Sequence, residues 1–576
     1  MARLQVAWTF KTGEISDGTA HAIRSTFEGT PLIIDGVLYI TTPFNRLIAL
    51  DPETGKQRWA FDPKLDLDKP FNLYISRGSA WWSDGVKKRI FYGTLDARLY
   101  SIDAANGEPD PAFGDKGSID LRKGVADKFP RRGYGMTSPP AIYKDLVICG
   151  ALASDGEPQG PAGDIRAFDV RTGKLVWQFH TVAQGGEFGN DTWEGDSWKE
   201  RGGVNAWSIL SVDRERGIVY VPLTSPSTDL YGGDRKGANL FGDSLVALDA
   251  ATGKRVWHFQ ILHHDIWDYD LPAQPNLITV LRGGKRVPAV AQLTKQGMVF
   301  TFDRYTGQPL FPIEERAVPP SEVPGEQAWP TQPFPLKPPP VTRHIMRPDE
   351  LHNLLPETRA FCEKLIEGAV FGNLYTPIGL KPTVLFPSTN GGVNWGGASF
   401  DPETQTLYVN SMDIGFIQRM AKRPEGSVIP YRAQGAPSPN ARFWDKNLVP
   451  CQNPPWGWLT AIDMNKGEFK WRSVLGVIDE LSAKGIPPTG TSNIGGSLVT
   501  AGGLVFIGAT NDSRFRAFDK STGKELWVTK LAASAHANPA TYVGKKTKKQ
   551  YVVIAVGGGN KYNKSYSDEL VAYTLP

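Results

Sequence analysis

Ala49-Leu-Asp51-Pro-Glu-Thr54-Gly55-Lys-Gln-Arg-Trp59 decides the fold, because the chain repeats it. The pattern Ala-x-Asp-x-x-Thr-Gly-x-x-x-Trp returns at 167–177, 247–257 and 517–527. Weaker copies stand at Asp103/Gly107, Asp303/Gly307 and Asp463/Gly467/Trp471. An apolar run such as Arg46-Leu-Ile-Ala-Leu50 precedes the Asp and predicts a strand. The Asp-x-x-Thr-Gly segment predicts a turn, in which Asp accepts local N–H bonds and Gly supplies a positive φ. The following strand carries Trp, a ring that must find a neighbour to pack on. Such units call for stacked copies of themselves, and four-stranded units repeated radially make a β-propeller.

The motif Asp residues lie roughly 50–80 residues apart, except between Asp303 and Asp463. That gap has room for one more degenerate blade, whose hairpin is expected around Phe400-Asp401-Pro-Glu-Thr404. The expected fold is therefore all-β, an eight-bladed propeller over 1–576, and the last strand, 569–574, joins the first blade to close the ring. A Pro-rich and helical insertion is expected at about 309–370. Its stretch 309–348 is too crowded with proline for a regular element, and 350–368 has the apolar spacing of one amphipathic helix.

Composition removes other classes. With 576 residues, 61 Gly, 45 Pro, 17 Trp and 40% hydrophobic residues, the chain can bury a large core, which excludes disorder. A net charge of +4, with no basic run beyond the short patch at 545–549, argues against a nucleic-acid partner. No apolar stretch approaches the roughly 20 residues of a membrane span. Three cysteines without Cys-x-x-Cys argue against a cysteine zinc site or attached haem. Cys362 and Cys451 either pair or remain buried thiols.

Charge collects in one segment, His263-His264-Asp265-Ile-Trp267-Asp268-Tyr-Asp270-Leu-Pro272. Strand alternation would put Asp268 and Asp270 on one side, an arrangement suited to a hard cation or to an ionised base. Lys295 follows at the next strand turn. Taken alone, these read as a solvated turn and a surface lysine.

Longer motifs resemble the pyrroloquinoline-quinone (PQQ) dependent dehydrogenases, eight-bladed propellers with Trp docking motifs, along essentially the whole chain. Trp193-Glu-Gly-Asp196-Ser-Trp198 is similar to the methanol dehydrogenase branch. The 263–275 segment, Thr137-Ser-Pro-Pro140, Pro450-Cys451-x-x-Pro-x-Trp456 and Gly495-Gly-x-x-x-Thr-Ala-Gly502 are similar to the membrane-bound glucose dehydrogenases.

The resemblance implies Asp268 as catalytic base and Lys295 as the cation at the quinone oxygens. It implies Glu28, Arg77, Thr137, Ser154, Asn394 and Trp395 around PQQ, with Trp207 as the ring beneath the quinone. It implies a metal, Ca²⁺ before a lanthanide or Mg²⁺, held by Asp155, Ser225 (or Thr224), Asp268 and Asp270. The vicinal cysteines that cover the quinone in methanol dehydrogenases are absent; Phe71-Asn72 stand there, and the cover falls to Tyr74 or Ile494. The implied reaction is hydride transfer from an alcohol to PQQ: a sugar, a cyclic polyol or a bulky secondary alcohol such as a trichothecene. Electrons then leave to an external acceptor, a cytochrome c, a quinone or a dye. The implied location is the periplasm, with a signal peptide removed, since 1–6 carry no apolar leader core. The competing reading is a propeller scaffold that holds no cofactor; it should lack the Asp268/Lys295/Arg77 set.

Overall fold

The computed structural model describes residues 3–560 and 562–576. Eight antiparallel sheets succeed one another along these residues as blades. Blade 1 consists of Leu32–Ile34, Val37–Thr41, Leu47–Leu50 and Gln57–Phe61, paired in that order. Blades 2, 3, 4 and 7 repeat this arrangement from first strands Ala80–Ser83, Ala141–Tyr143, Ser211–Asp213 and Ser497–Val499. Blade 5 pairs three strands, Asn276–Arg282, Lys285–Leu293 and Val299–Asp303. Blade 6 is Ala398–Asp401, Thr406–Met412, Gly457–Asp463 and Glu468–Val474. Blade 8 takes Ala540–Val543, Gln550–Gly558 and Tyr566–Thr574, and its outer strand is Gln5–Lys11 from the other end of the chain. First strands of successive blades touch, so they line the axis and the fourth strands lie outside.

The repeat acts between blades. Trp59, Trp177, Trp257, Trp471 and Trp527 each pair across from the motif Ala, and the register slips just after that Ala. Trp177 Nε1 donates to the Ala250 carbonyl of the next blade at 3.1 Å, and Trp257 Nε1 to Arg304 at 3.1 Å. The Trp177 ring lies so close to Gly253 that a Cβ there would come within 2.5 Å of it. Gly253 also has φ +72°, so the turn and the docking both require glycine. Asp249 Oδ1 holds that turn, accepting Thr252 N and Thr252 Oγ1 at 2.8 Å each.

Eight blades are present among the described residues, but the eighth is not in the long gap. The 398–412 hairpin and the Asp463 hairpin are halves of one blade, interrupted between its second and third strands. The blade without a motif is the closing one. Its third and fourth strands come from opposite chain ends, so no turn joins them and no Asp-x-x-Thr-Gly is needed. The last strand therefore does not join blade 1; the first strand joins blade 8. Trp8 serves as its docking ring, donating to Pro52 O at 2.8 Å and lying against Gly55.

The excursions also differ from expectation. Residues 309–348 do form a regular element, the hairpin Ile313–Ala317 with Thr331–Pro335. Pro333 and Pro335 share one parity, so their missing N–H groups fall along one edge of a two-stranded ladder. The helix covers only Pro356–Leu365, because the residue before a proline avoids helical ψ, and Leu355 is extended. Beyond 370 the two excursions share a sheet, Val370–Phe371, Thr383–Leu385, Phe416–Lys422 and Tyr431–Gly435.

Cys362, on the helix, is bonded to Cys451, and Cys149 is a buried thiol. The bridge closes a loop with a sequence separation of 89 residues. A loop of that length corresponds to about 4–5 kcal/mol in the chain-entropy account. Reduction, or Cys362→Ser, is expected to lower the thermal midpoint. Calorimetry with and without reductant checks this: an unchanged midpoint would show that the bridge carries no stability.

Candidate active site

Antiparallel pairing places the site. Within a blade, the chain enters the first strand and leaves the second at the same end of the ring. Every residue lining the cavity that holds the charged cluster belongs to one of those two connections. Glu28, Arg77, Thr137, Trp207, Asp268 and Asn394 precede first strands; Asp155, Ser225, Lys295 and Arg442 follow second strands. The Asp-x-x-Thr-Gly turns join third to fourth strands and so lie at the opposite end. The cavity these residues enclose is about 200 Å³.

Lys295 is its centre. Its Nζ donates to Asp268 Oδ1 at 2.6 Å, to the Asp268 carbonyl at 2.8 Å and to Asp270 Oδ2 at 3.0 Å. The segment 261–270 is not an alternating strand. It is irregular, with His264 and Asp268 at φ +46° and +60°. That left-handed turn directs both the carbonyl and the carboxylate of Asp268 to one ammonium. Asp270 also accepts the Ser225 amide at 3.0 Å and Trp207 Nε1 at 3.1 Å. The two carboxylates diverge as a result. Burial pushes Asp268 up to about 7, with Asp270 adding and Lys295 opposing. Burial acts on Asp270 too, but Lys295 and its other donors hold it below the usual carboxylate range. Lys295 is disfavoured by burial, yet the two carboxylates raise it above an ordinary lysine. Two carboxyl groups driven apart in this way divide the roles, one remaining an anion and the other being poised to accept a proton.

The opposite part of the cavity is cationic and aromatic. Arg77 donates to Glu28 at 3.1 Å and to Thr137 Oγ1 at 3.0 Å. Its guanidinium carbon lies 5.0 Å from the ring centres of both Trp207 and Trp395. Glu28 is pushed up to about 7 by burial, against the pull of Arg77. Asn560 of blade 8 donates to Glu28 at 3.1 Å, so this corner spans the ring's closure. Thr137 and Ser138 both donate to the Trp207 carbonyl, at 3.2 and 2.7 Å, and so fix that residue. Asn394 donates to the Asn390 carbonyl at 2.7 Å. Trp395 Nε1 is buried with no acceptor among the described residues.

Eleven of the residues singled out from sequence line this one cavity: Glu28, Arg77, Thr137, Trp207, Asn394, Trp395, Lys295, Asp155, Ser225, Asp268 and Asp270. Ser154 does not; its amide donates to Gly133 and its carbonyl accepts Ser227 Oγ at 3.4 Å. His263 and His264 also lie outside, bonded to Gln260 and to Gly237 and Glu326. Asp265 is structural: it accepts the Trp267 and Tyr269 amides at 2.8 Å each, and it accepts the Ser225 hydroxyl. Of the two candidate covers, Ile494 and not Tyr74 reaches the cavity, joined by Asn72, Leu73 and Ile75. Asp229, Asn390, Arg442 and Asn560 line it as well and were not anticipated from sequence. Position at the ring's site-bearing end is the signal that would have found them.

A planar, anionic redox cofactor fits this donor set. Two indoles supply apolar surface, Trp395 Nε1 supplies a vacant donor, and Arg77 and Lys295 supply positive charge. For a cation the fit is less direct. Asp155, Asp229, Asp268 and Asp270 share one cavity, but no three His, Cys, Asp or Glu among the described residues meet a metal-binding geometry. The Ser225 hydroxyl is committed to Asp265.

The ring thus gathers one cavity with charged and aromatic lining at a single end of an eight-bladed propeller. The family model for the PQQ glucose/ethanol/alcohol dehydrogenase β-propeller domain matches residues 1–552. The chain is 32% identical to the quinate/shikimate dehydrogenase (quinone) of Acinetobacter baylyi, covering 100% of this chain and 76% of that protein. It is 33% identical to quinoprotein glucose dehydrogenase A of Acinetobacter calcoaceticus, with the same coverage. The glycerol dehydrogenase large subunit of Gluconobacter thailandicus is 32% identical, covering 100% and 82%. Among solved structures, the quinohemoprotein alcohol dehydrogenase ADHIIG of Pseudomonas putida HK5 superposes with a TM-score of 0.70 at 24% identity, over 100% of this chain and 76% of that one. A europium-containing methanol dehydrogenase gives 0.69 at 22%, over 100% and 93%. The chain belongs to the PQQ-dependent glucose/alcohol dehydrogenase propeller family. It is a PQQ-dependent dehydrogenase that oxidises an alcohol or sugar and delivers the electrons to an external acceptor. No described helix is long and apolar enough to cross a membrane.

Proposed function

We propose that the chain oxidises a secondary hydroxyl of a polyol, with Asp268 as the base. The observation that carries this reading is the pair of carboxylates meeting at Lys295 Nζ, where the ammonium and other donors keep Asp270 anionic while burial keeps Asp268 ready to take a proton. Bound PQQ supplies an electrophilic quinone carbon that accepts the carbinol hydride. Asp268 would take the hydroxyl proton, and Lys295 Nζ would supply positive charge toward the bound quinone. Trp207 and Trp395 would hold the cofactor's apolar surface and exclude water, and Arg77 and Thr137 would hold its carboxylates. The named activities of the relatives, on quinate/shikimate, glucose and glycerol, support a polyol over a simple alcohol. They favour a cyclic polyol or sugar over a bulky alcohol such as a trichothecene.

Ca²⁺ is the proposed metal. Asp155, Asp268 and Asp270 would hold it, with Asp229 as a further carboxylate and Ser225 contributing little. A cation there would offset the clustered negative charge and polarise a carbonyl. The proposed compartment is the periplasm, and the Cys362–Cys451 bridge supports an oxidising one. The scaffold reading is disfavoured because the Asp268/Lys295/Arg77 set lines a single cavity.

Reconstitution tests the proposal. Apo-protein given PQQ and Ca²⁺ is expected to reduce a dye in the presence of a cyclic polyol, and neither addition alone should suffice. Dye reduction that persists without any alcohol, or none with a broad polyol panel, would overturn it.

A further inference from the structure

Arg442 has no place in the chemistry above, yet it is 6% exposed and lines the cavity. It sits in the excursion that interrupts blade 6, outside the repeated framework. Its segment is fixed at both sides: the Phe443 amide bonds the Gly415 carbonyl, and the amide of disulfide-bonded Cys451 bonds the Phe443 carbonyl. Its guanidinium meets uncharged partners, the Asn390 side-chain oxygen, the Asn440 carbonyl at 3.2 Å and the Tyr562 hydroxyl.

The other cations of the cavity are neutralised, Arg77 by Glu28 and Lys295 by Asp268 and Asp270. Arg166 and Arg235 are also buried without a carboxylate partner, but both donate mainly to main-chain carbonyls and line none of this cavity. Among the described residues, Arg442 is the cavity cation that lacks an ion-pair partner. Burying a charge without a counter-ion is costly, and an arginine fork matches a carboxylate.

We propose that Arg442, positioned by Asn390, recognises a carboxylate on the substrate, so that the preferred substrate is an acid bearing ring hydroxyls. This rests on the dehydrogenase reading and narrows its substrate class. A carboxylate can come from the substrate or from PQQ itself, and we commit to the substrate for two reasons. Arg442 belongs to the excursion rather than to the ring that presents Arg77, and it shares the cavity with Asp268, the proposed base.

The test uses PQQ-loaded protein, a hydroxylated cyclohexane carboxylic acid and its methyl ester. The wild type is expected to favour the acid in kcat/KM. Arg442→Gln is expected to lower kcat/KM for the acid by about 100-fold and to change the ester by less than about threefold. Asn390→Asp, which sets a carboxylate against Arg442 without removing it, should abolish the same preference. Equal losses on acid and ester, with weakened PQQ fluorescence quenching, would assign Arg442 to the cofactor and overturn the proposal. No loss in either variant would overturn it too. Calorimetry with the acid alone separates this from the dehydrogenase reading. Arg442-dependent binding without turnover would sink that reading and keep the carboxylate site; absence of binding would sink the site.

Discussion

Asp268→Asn is expected to leave a folded, PQQ-binding protein whose kcat/KM falls by about 10²–10⁴-fold, the range for loss of a general base. The substitution is clean for a backbone reason. Asp268 has φ +60°, a conformation that Asn adopts as readily as Asp, so the turn that faces Lys295 persists. Asn also keeps an oxygen for Lys295 Nζ, now 2.6 Å from Asp268 Oδ1. What is lost is the ability to accept a proton, together with the negative charge that pairs with Lys295 and would face the proposed cation. Steady-state dye reduction with parallel PQQ absorbance measures both properties. Turnover within tenfold of wild type at full PQQ occupancy would remove Asp268 from the proton transfer.

The second large effect is expected at Lys295. Lys295→Met leaves Asp268 and Asp270 facing each other, buried, without their shared cation. Removing one partner of a buried ion pair costs about 3–5 kcal/mol. A clear fall in thermal stability is therefore expected beside a loss of turnover exceeding about 100-fold. Lys295→Arg separates the two effects. It restores charge and most of the stability, but its planar fork cannot converge on two carboxylates and a carbonyl as a point ammonium does. Turnover should stay low. If Lys295→Arg recovers turnover and stability together, charge alone suffices and the convergent geometry described above is irrelevant to the reaction.

The parts legible in sequence were those a repeat or a dense cluster marks. The Asp-x-x-Thr-Gly-x-x-x-Trp unit announced both the blades and their docking, because the turn and the ring each demand one residue type. It could not place the eighth blade, where strands three and four never join and only Trp8 stands in for the motif. Asp268 and Lys295 were legible through the charged segment and the family resemblance, although the alternation argument was wrong: the segment is irregular and a lysine gathers the two carboxylates. Ser154 stands outside the cavity although the neighbouring Asp155 lines it, since adjacent residues in an irregular connection need not face the same way. Arg442, Asn390 and Asp229 carry no pattern at all. They are single polar residues in connections, and only the three-dimensional path of those connections gathers them.

Closing the ring with Gln5–Lys11 has a consequence for the order of assembly. The Glu28–Asn560 contact bridges the seam, joining the start of blade 1 to the end of blade 8. On a ribosome, Glu28 emerges long before Asn560 exists. The cofactor pocket therefore lacks a wall until almost the whole chain has been made and its two ends have met. A chain cut between Glu28 and Asn560 would therefore lack a residue that lines the pocket and bonds Glu28.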